Sequence, residues 1–351
     1  EIARYVRKSI ADGIARKWQT KGLPEYPDAG AIDKMAMQAA LDEMVEVLEL
    51  PGAVMLFGRD GVEQLRITSG EFNLGTVVPV ASASKWVTST VLMRLVEQGV
   101  LTLDSPLDRY VPELRGHWAK TTLEQLLNFS SGVGEGHASE HVPSTPYKEQ
   151  FKHLINTPVH NLPGAEFTYG GISMQIAGYV AEQASGKPWA QLFEELVAAP
   201  AAMKNSSYGH PLWHKPGTPV NSPNLAGGLY TTAQDYFNFL TAIHLSTTGA
   251  GLLTEDSVNQ METNRTSALI QNFRPPIVRE DWFYGLGLWC EAPLPEGCTY
   301  VNSAGAFGAF PWMNRASRTY GLLITLGPMP EVLPFALNLR RMANKVVQPP
   351  H

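Results

Sequence analysis

The 351-residue chain is 44% hydrophobic and 17% charged, which is the balance of an ordinary folded protein rather than of a disordered or fibrous one. Its formal net charge of −6 provides no positive field to attract phosphates, so nucleic acid is excluded as an expected partner. No apolar run approaches the roughly 18 residues of a membrane span, and we expect a protein that acts on a small molecule.

The first elements are predicted to be two helices and a hairpin. Residues 53–57 and 64–67 read as two strands joined by a tight turn at residues 58–61. Each helix is indicated by an apolar stripe, formed by Ile2, Val6, Ile10 and Ile14 in one and by Met37, Leu41, Met44, Val45 and Leu48 in the other. The chain starts at Glu1 without the pattern of a signal peptide, which leaves a removed export signal open.

A Ser-x-x-Lys element stands at the start of the next predicted helix, residues 86–98. One helical turn places the Lys85 amine on the same face as the Ser82 hydroxyl, within reach of its proton. The free N–H groups of a helix start would stabilise an oxyanion and disfavour a charged ammonium nearby. A helix-capping serine followed by a solvated lysine is the alternative interpretation.

The remaining pattern predicts helices in the middle of the chain and strands towards its end. The helices fall at residues 122–127, 173–184, 189–198, 233–245 and 255–261, the strands at 284–290, 299–302, 307–312 and 320–326, and a last helix at about 331–347. This order indicates an α+β fold in which residues 1–80 and 281–351 form one α/β domain. Residues 81–280 would form a mostly helical domain, with the active site at the junction.

Two smaller features leave alternatives open. Cys290 and Cys298 flank a turn-like segment, so they are either a disulfide or two free thiols. Oxidation would favour a periplasmic or secreted location over a cytoplasmic one. His137 and His141 have the spacing of metal ligands on a helix, but the glycines and proline around them indicate a loop, and we expect no metal there.

Residues 80–106 closely resemble the nucleophile helix of the class C β-lactamases, the penicillin-binding proteins and the related family VIII carboxylesterases. Further segments are similar to that family in the same order. They are residues 122–132, which resemble its "LLTHTSG" stretch, residues 163–169, which resemble the approach to its catalytic tyrosine, and residues 185–188, 226–230 and 284–288. The resemblance covers roughly residues 50–327, and the ordered set is more specific than any single motif.

The resemblance implies an antiparallel sheet flanked by helices, with an inserted helical domain. It also implies that Tyr169 is a second general acid or base whose phenol Lys85 holds partly ionised. The N–H groups of Ser82 and Ala306 would form the oxyanion hole. This chemistry calls for no metal and no cofactor.

The sequence departs from the family at two substrate contacts. The usual Lys-Thr-Gly or His-x-Gly is replaced by Ser303, Ala304 and Gly305, which removes a cation that holds a substrate carboxylate. Gly171 replaces an asparagine whose amide contacts the substrate. The small residues suit a strand that lies against a substrate. The aromatic residues nearby could wall an apolar pocket or belong to the core; they are Trp86, Phe307, Phe310 and Trp312. The predicted substrate contacts are Gly171, Ser303, Gly305, Phe307, Trp86 and Trp312.

These features predict a serine hydrolase that acts on a small ester through a covalent acyl-enzyme. The alternative substrates are amides, which would make the protein a β-lactamase, a D-aminopeptidase or another amide hydrolase. An acyltransferase would pass the acyl group to an alcohol instead. A non-catalytic binding or scaffold relative is the alternative of another class, and it is disfavoured because Ser82, Lys85 and Tyr169 are all present.

Overall fold

A computed structural model of the chain describes residues 33–133, 144–210, 220–294 and 297–345. The predicted first helix, with Ile2, Val6, Ile10 and Ile14, lies outside the described residues, as do His137 and His141. Of the helices in the described ranges, none is both long and apolar enough to cross a membrane.

The described chain contains ten α-helices and twelve strands. The helices are α1 (Lys34–Val47), α2 (Ser84–Glu97), α3 (Gly116–Lys120), α4 (Leu123–Leu127), α5 (Tyr147–Leu154), α6 (Ile172–Ser185), α7 (Trp189–Phe193), α8 (Ala233–Ser246), α9 (Glu255–Glu262) and α10 (Met329–Lys345). The strands are β1 (Gly52–Arg59), β2 (Val62–Gly70), β3 (Val78–Pro79), β4 (Glu166–Thr168), β5 (Ser207–Tyr208), β6 (Leu229–Thr231), β7 (Ile270–Phe273), β8 (Phe283–Tyr284), β9 (Trp289–Leu294), β10 (Gly297–Asn302), β11 (Phe310–Asn314) and β12 (Thr319–Thr325). A 3₁₀ turn, Ala81–Ala83, leads into α2, and a π-helical turn, Glu194–Ala198, continues α7.

The main sheet has seven antiparallel strands in the order β2-β1-β12-β11-β10-β9-β8. The predicted hairpin forms its first two strands, and both residues of the connecting turn, Asp60 and Gly61, have positive φ angles, of 54° and 80°. This is the backbone geometry that two-residue hairpins favour. The fold class predicted from the sequence, an antiparallel sheet flanked by helices, is confirmed.

Helices cover both faces of this sheet. Alternate residues of β1 face opposite sides: Ala53, Met55 and Phe57 pack in the cluster beneath α1 and α10, whereas Val54 and Leu56 pack in the larger cluster that contains α2, α6 and α8. A strand that is buried on both faces reads as an uninterrupted apolar run. This is why residues 53–57 carry no polar alternation.

Glycine turns shorten two of the predicted strands. The predicted strand 284–290 is divided into β8 and β9, because the Gly285 N–H bonds to the Leu288 carbonyl at 3.0 Å and Gly287 adopts a φ of 85°. The predicted strand 307–312 begins only at Phe310, since Gly308 turns back on Gly305 with a φ of 101°. Both turns lie next to the candidate site described below.

The two cysteines form a disulfide across the hairpin of β9 and β10. The Cα atoms of Cys290 and Cys298 are 5.6 Å apart, within the range that a disulfide can span. Of the two alternatives that the sequence left open, the structure therefore shows the bonded pair.

A buried histidine on α8 faces the main sheet. His244 stacks on Tyr320 with ring centroids 5.0 Å apart, and neither ring nitrogen has a hydrogen-bond partner in the described part of the chain. Burial lowers the pKa of His244 from 6.5 to about 4, with a smaller contribution from Arg315 and Arg318. The folded protein therefore resists protonation of this ring.

This histidine should make the protein acid-sensitive. Below pH 6.5 the unfolded chain takes up a proton that folded His244 excludes, so stability falls as the pH drops towards 4, by up to roughly 3 kcal/mol. His244→Phe keeps the stack on Tyr320 and removes the titration. Its unfolding temperature should exceed that of the wild type near pH 5 and match it more closely near pH 7. Identical pH slopes in the two proteins would contradict this explanation.

Candidate active site

Ser82 lies in the 3₁₀ turn that leads into α2, at the position where a helix start leaves backbone N–H groups free. Ala81 before it has a φ of 47°, a left-handed conformation that costs energy outside glycine. The Ser84 hydroxyl fixes this turn, because it donates to the Ala81 carbonyl at 2.6 Å and accepts the Leu229 N–H at 3.0 Å. A buried side chain thus holds the strained backbone beside Ser82.

Lys85 is buried on the same face as Ser82. Its Nζ lies 3.0 Å from Ser82 Oγ and 2.8 Å from the Ala226 carbonyl oxygen, and the side chain is only 3% exposed. Burial lowers the pKa of Lys85 from 10.5 to about 7. At neutral pH a substantial fraction of the Lys85 amine is therefore uncharged and able to accept a proton.

Tyr169 follows β4 and faces the same amine. The Lys85 Nζ lies 4.8 Å from the centre of the Tyr169 ring, and the Tyr169 N–H donates to the Phe273 carbonyl at 3.1 Å. Burial raises the pKa of Tyr169 to about 12, although hydrogen bonds with the Ser82 and Trp289 side chains act in the opposite direction.

The prediction that Lys85 holds this phenol partly ionised is wrong at neutral pH. The desolvation of Tyr169 outweighs its hydrogen bonds, and the neighbouring amine is itself partly neutral at this pH. The two pKa shifts favour the amine as a proton acceptor and the phenol as a proton donor.

Aromatic side chains enclose Tyr169 on several sides. Phe129 and Tyr284 meet it edge to face, with ring centroids 5.1 and 5.6 Å away. Trp289 stacks on it at 5.4 Å with an angle of 28° between the ring planes. These contacts fix the ring and exclude water from one side of it.

The segment from Ser303 to Ala306 closes against the nucleophile turn. Ser303 Oγ donates to the Ser82 carbonyl oxygen at 3.0 Å. A Cβ on Gly305 would collide with the carbonyl oxygen of Val80, so glycine allows the close approach. Ala306 is exposed at the end of this segment. Its N–H stays a predicted oxyanion donor, together with that of Ser82.

A buried ion pair between α10 and β9 supports this segment, and the sequence did not indicate it. Arg340 on α10 binds both carboxylate oxygens of Glu291, at 2.6 and 2.8 Å. Glu291 accepts the Asn302 amide at 2.8 Å, and the Asn302 side chain in turn accepts the Ala304 N–H at 3.3 Å. The chain of contacts thus connects α10 to the residue next to Ser303.

Two of the predicted pocket residues belong to the core instead. Trp86 is 1% exposed and packs edge to face on Phe239, because the residue after Lys85 lies on another face of α2. Trp312 is fully buried and stacks on Phe310 beneath α1 and α10, on the opposite face of the sheet from α2. Their assignment as substrate-binding residues is therefore wrong.

The other predicted substrate contacts stay predictions. Phe307 is 5% exposed and packs in the cluster that contains α2. Gly171 is buried and caps the start of α6, two residues after Tyr169. Ser303 and Gly305 lie against the nucleophile turn, as described above.

Sequence reasoning missed two residues that shape the site. A Cβ on Gly287 would collide with the Ser89 hydroxyl and lie 2.8 Å from the Lys85 carbonyl oxygen, so the glycine turn after β8 packs directly on α2. Trp289, which follows that turn, stacks on Tyr169. The glycines of the Tyr-Gly-Leu-Gly-Leu-Trp run were the available signal, since such glycines permit close backbone contacts.

A family model described as "Beta-lactamase" matches residues 37–336, which is more than half of the chain. The D-alanyl-D-alanine-carboxypeptidase/endopeptidase AmpH of Escherichia coli K12 is 30% identical over 189 residues, covering 48% of this chain and 49% of AmpH. The esterase EstB of Burkholderia gladioli is 27% identical over 213 residues, covering 52% of this chain and 54% of EstB. The chain thus spans about half the length of these curated relatives.

Solved structures with the same fold match a larger part of the chain. That of a proposed beta-lactamase from Bacteroides dorei has a TM-score of 0.78 and 26% identity, over 90% of this chain and 99% of the other. The octameric penicillin-binding protein homologue from Pyrococcus abyssi has a TM-score of 0.72 and 20% identity, over 90% and 79%. The second likeness concerns the fold alone.

Proposed function

The chain belongs to the beta-lactamase family, and on that premise we propose that it is a serine hydrolase that cleaves small esters through an acyl-enzyme on Ser82. The observation that carries this proposal is the buried Lys85 amine, 3.0 Å from the Ser82 hydroxyl and with its pKa lowered to about 7. Such an amine is a competent base near neutral pH.

Acylation begins when neutral Lys85 takes the Ser82 proton and Ser82 Oγ bonds to the ester carbonyl carbon. The carbonyl oxygen becomes an oxyanion, which the N–H groups of Ser82 and Ala306 stabilise. The first N–H groups of a helix are suited to this role because they have no partner within the helix.

Collapse of this intermediate breaks the bond between the carbonyl carbon and the leaving oxygen. Tyr169 gives its phenol proton to that oxygen, and the Lys85 ammonium returns a proton to the phenolate. The Lys85 Nζ lies 4.8 Å from the Tyr169 ring centre, so the two groups are neighbours in the site. Water then attacks the acyl-enzyme, Lys85 accepts its proton, and Ser82 Oγ recovers that proton as the acid leaves.

The proposed substrate is an ester rather than a β-lactam because two recognition groups are absent. Ser303 offers a neutral hydroxyl, already donated to the Ser82 carbonyl, where the family has a cation for the substrate carboxylate. Gly171 has no side-chain amide that could contact the acylamino group of a β-lactam. Neither change touches the groups that transfer protons.

We also propose the division into two lobes with this site at their junction. The seven strands of the main sheet lie within residues 52–70 and 283–325, which supports a lobe made from both chain ends. Ser82 and Tyr169 come from the intervening, mostly helical segment, and Ser303 follows the last residue of β10.

Hydrolysis of p-nitrophenyl butyrate, compared with that of a chromogenic cephalosporin, tests the substrate class. We expect kcat/KM for the ester to exceed that for the cephalosporin by at least about 100-fold, since the β-lactam loses two polar contacts. Ester turnover should disappear in Ser82→Ala. Faster turnover of the cephalosporin would overturn the ester assignment and leave the acyl-enzyme mechanism in place.

A further inference from the structure

Side-chain hydroxyls hold the backbone of the nucleophile turn. The carbonyl oxygens of residues 81–83 each accept one such hydroxyl. The donors are, in that order, Ser84 at 2.6 Å, Ser303 at 3.0 Å and Tyr236 at 2.7 Å. Each contact fixes the plane of one peptide group. The first of these peptide groups also contains the Ser82 N–H, which is a proposed oxyanion donor.

The Ser84 hydroxyl sets the direction of this N–H. A peptide group is planar and trans, so its N–H points opposite to its carbonyl. The Ala81 carbonyl faces the Ser84 hydroxyl, and Ser84 is fully buried. Ser82 is the partly exposed residue in the otherwise buried run of residues 81–85. The Ser82 N–H is therefore directed away from the buried side of the turn.

Strain at Ala81 gives this contact a task. The φ of Ala81 is 47°, a left-handed conformation that costs energy for a residue with a Cβ. Rotation of the peptide group between Ala81 and Ser82 would relieve this strain and turn the N–H out of its position. The Ser84 hydroxyl opposes the rotation, because the rotated peptide would lose a buried hydrogen bond.

The same hydroxyl connects the turn to the neighbouring strand. Ser84 Oγ accepts the Leu229 N–H at 3.0 Å while it donates to the Ala81 carbonyl. Leu229 is anchored in turn, because its carbonyl accepts the Val80 N–H at 3.0 Å. Hydrogen bonds in such a chain polarise one another, so a peptide group whose carbonyl accepts a bond becomes a stronger N–H donor. The chain ends on the N–H of Ser82.

We infer that Ser84 is a positioning residue for the oxyanion of the proposed acyl transfer. Its hydroxyl holds the peptide group between Ala81 and Ser82 in place and strengthens the Ser82 N–H as a donor. Ser84 acts through this peptide group and not through contact with the substrate. The inference rests on the proposed function. It concerns the stabilisation of developing charge, whereas Lys85 removes the proton of the nucleophile.

Two esters that differ in a single atom separate this role from packing. p-Nitrophenyl butyrate develops negative charge on oxygen, whereas p-nitrophenyl thionobutyrate develops it on sulfur, which is the weaker hydrogen-bond acceptor. Ser84→Ala removes the hydroxyl and leaves the Ser82 N–H in the chain. We expect it to lower kcat/KM about tenfold for the oxygen ester and less than about threefold for the thionoester, since the N–H is misdirected rather than deleted.

Ser246→Ala controls for the loss of a buried hydroxyl as such. Ser246 on α8 makes the same pair of contacts, because its hydroxyl donates to the Ala242 carbonyl at 3.1 Å and accepts the Leu253 N–H at 3.0 Å. It follows Tyr236 by ten residues, which is about 15 Å along the helix from the side chain that reaches the turn. Its unfolding temperature should fall about as much as that of Ser84→Ala. Its kcat/KM for both substrates should stay within about twofold of the wild type.

A selective loss on the oxygen ester in Ser84→Ala supports the inference. Equal losses on the two substrates, or no loss on either, would overturn it and leave Ser84 as a structural residue of the helix start. Should the alanine variant fail to fold, Ser84→Cys keeps a side chain of similar size with a weaker donor, and an unchanged ratio of the two kcat/KM values would overturn the inference as well. If the wild type hydrolyses neither substrate and Ser82 takes up no fluorophosphonate, the proposed function itself fails, which is a different result from any of these.

Discussion

Lys85→Met should lower the rate at which Ser82 is acylated by about 10³-fold, within the range that a positioned base contributes. Methionine fills a similar volume in the buried position and cannot accept a proton. The measurement is pre-steady-state hydrolysis of p-nitrophenyl butyrate, in which the first release of p-nitrophenolate reports acylation.

The pH profile should change together with the rate. Because only the neutral amine accepts the Ser82 proton, the wild-type acylation rate should rise with pH through about 7 and then level off. Lys85→Met should lose this step. A profile with the same midpoint in the variant would show that another group is the base.

Unfolding temperatures separate lost chemistry from lost structure. The folded state holds the pKa of Lys85 at about 7 instead of 10.5, so at neutral pH burying this amine opposes folding. Lys85→Met should therefore be at least as stable as the wild type near pH 7. Lys85→Arg, a control that keeps a cation but supplies no base, should be equally inactive. Retention of more than about a tenth of the wild-type rate in the methionine variant would contradict the role of Lys85.

Ser82→Ala should reduce ester turnover to the solvent background, a loss on the order of 10⁴- to 10⁶-fold. The oxygen that forms the acyl-enzyme is gone, and water would have to attack without that intermediate. The variant should still fold, because the 3₁₀ turn is fixed by Ser84 rather than by the Ser82 side chain.

Ser89→Ala is the matched control for this loss. Ser89 is a buried serine on α2, the helix that follows the Ser82 turn, and its hydroxyl has no hydrogen-bond partner in the described part of the chain. Its removal should leave ester turnover within about twofold of the wild type. A comparable loss in both variants would point to damage to α2 rather than to a missing nucleophile.

The sequence was informative where local geometry decides the structure. The one-turn spacing of Ser82 and Lys85 predicted their contact, because residues three apart on a helix share a face. Residues 58–61 predicted the hairpin turn, and the structure places the turn at Asp60 and Gly61, which both adopt positive φ. The order of strands and helices indicated an α+β fold, and the family resemblance implied the antiparallel sheet.

Features that depend on distant packing could not be read in this way. The pKa of Tyr169 depends on burial that Phe129, Tyr284 and Trp289 provide from other parts of the chain. Trp312 has an aromatic side chain close in sequence to Ala306, but strand alternation directs it to the far face of the sheet. Neither fact follows from composition or spacing.

Two glycines also have structural roles that depend on distant parts of the chain. Gly287 and Gly305 were visible in the sequence as turn or strand residues, yet the atoms that require them to be glycine belong to Ser89 and Val80. Only the assembled fold brings those atoms within reach. The departure from the expected strand at residues 284–290 has the same origin, because the glycine turn packs on α2.

The identity of the nucleophile is tested most directly by intact-mass analysis after treatment with a fluorophosphonate probe. We expect a single adduct on the wild-type chain, mapped by peptide analysis to Ser82, and an unchanged mass for Ser82→Ala. A labelled alanine variant, or an adduct on another serine of the wild type, would contradict the account.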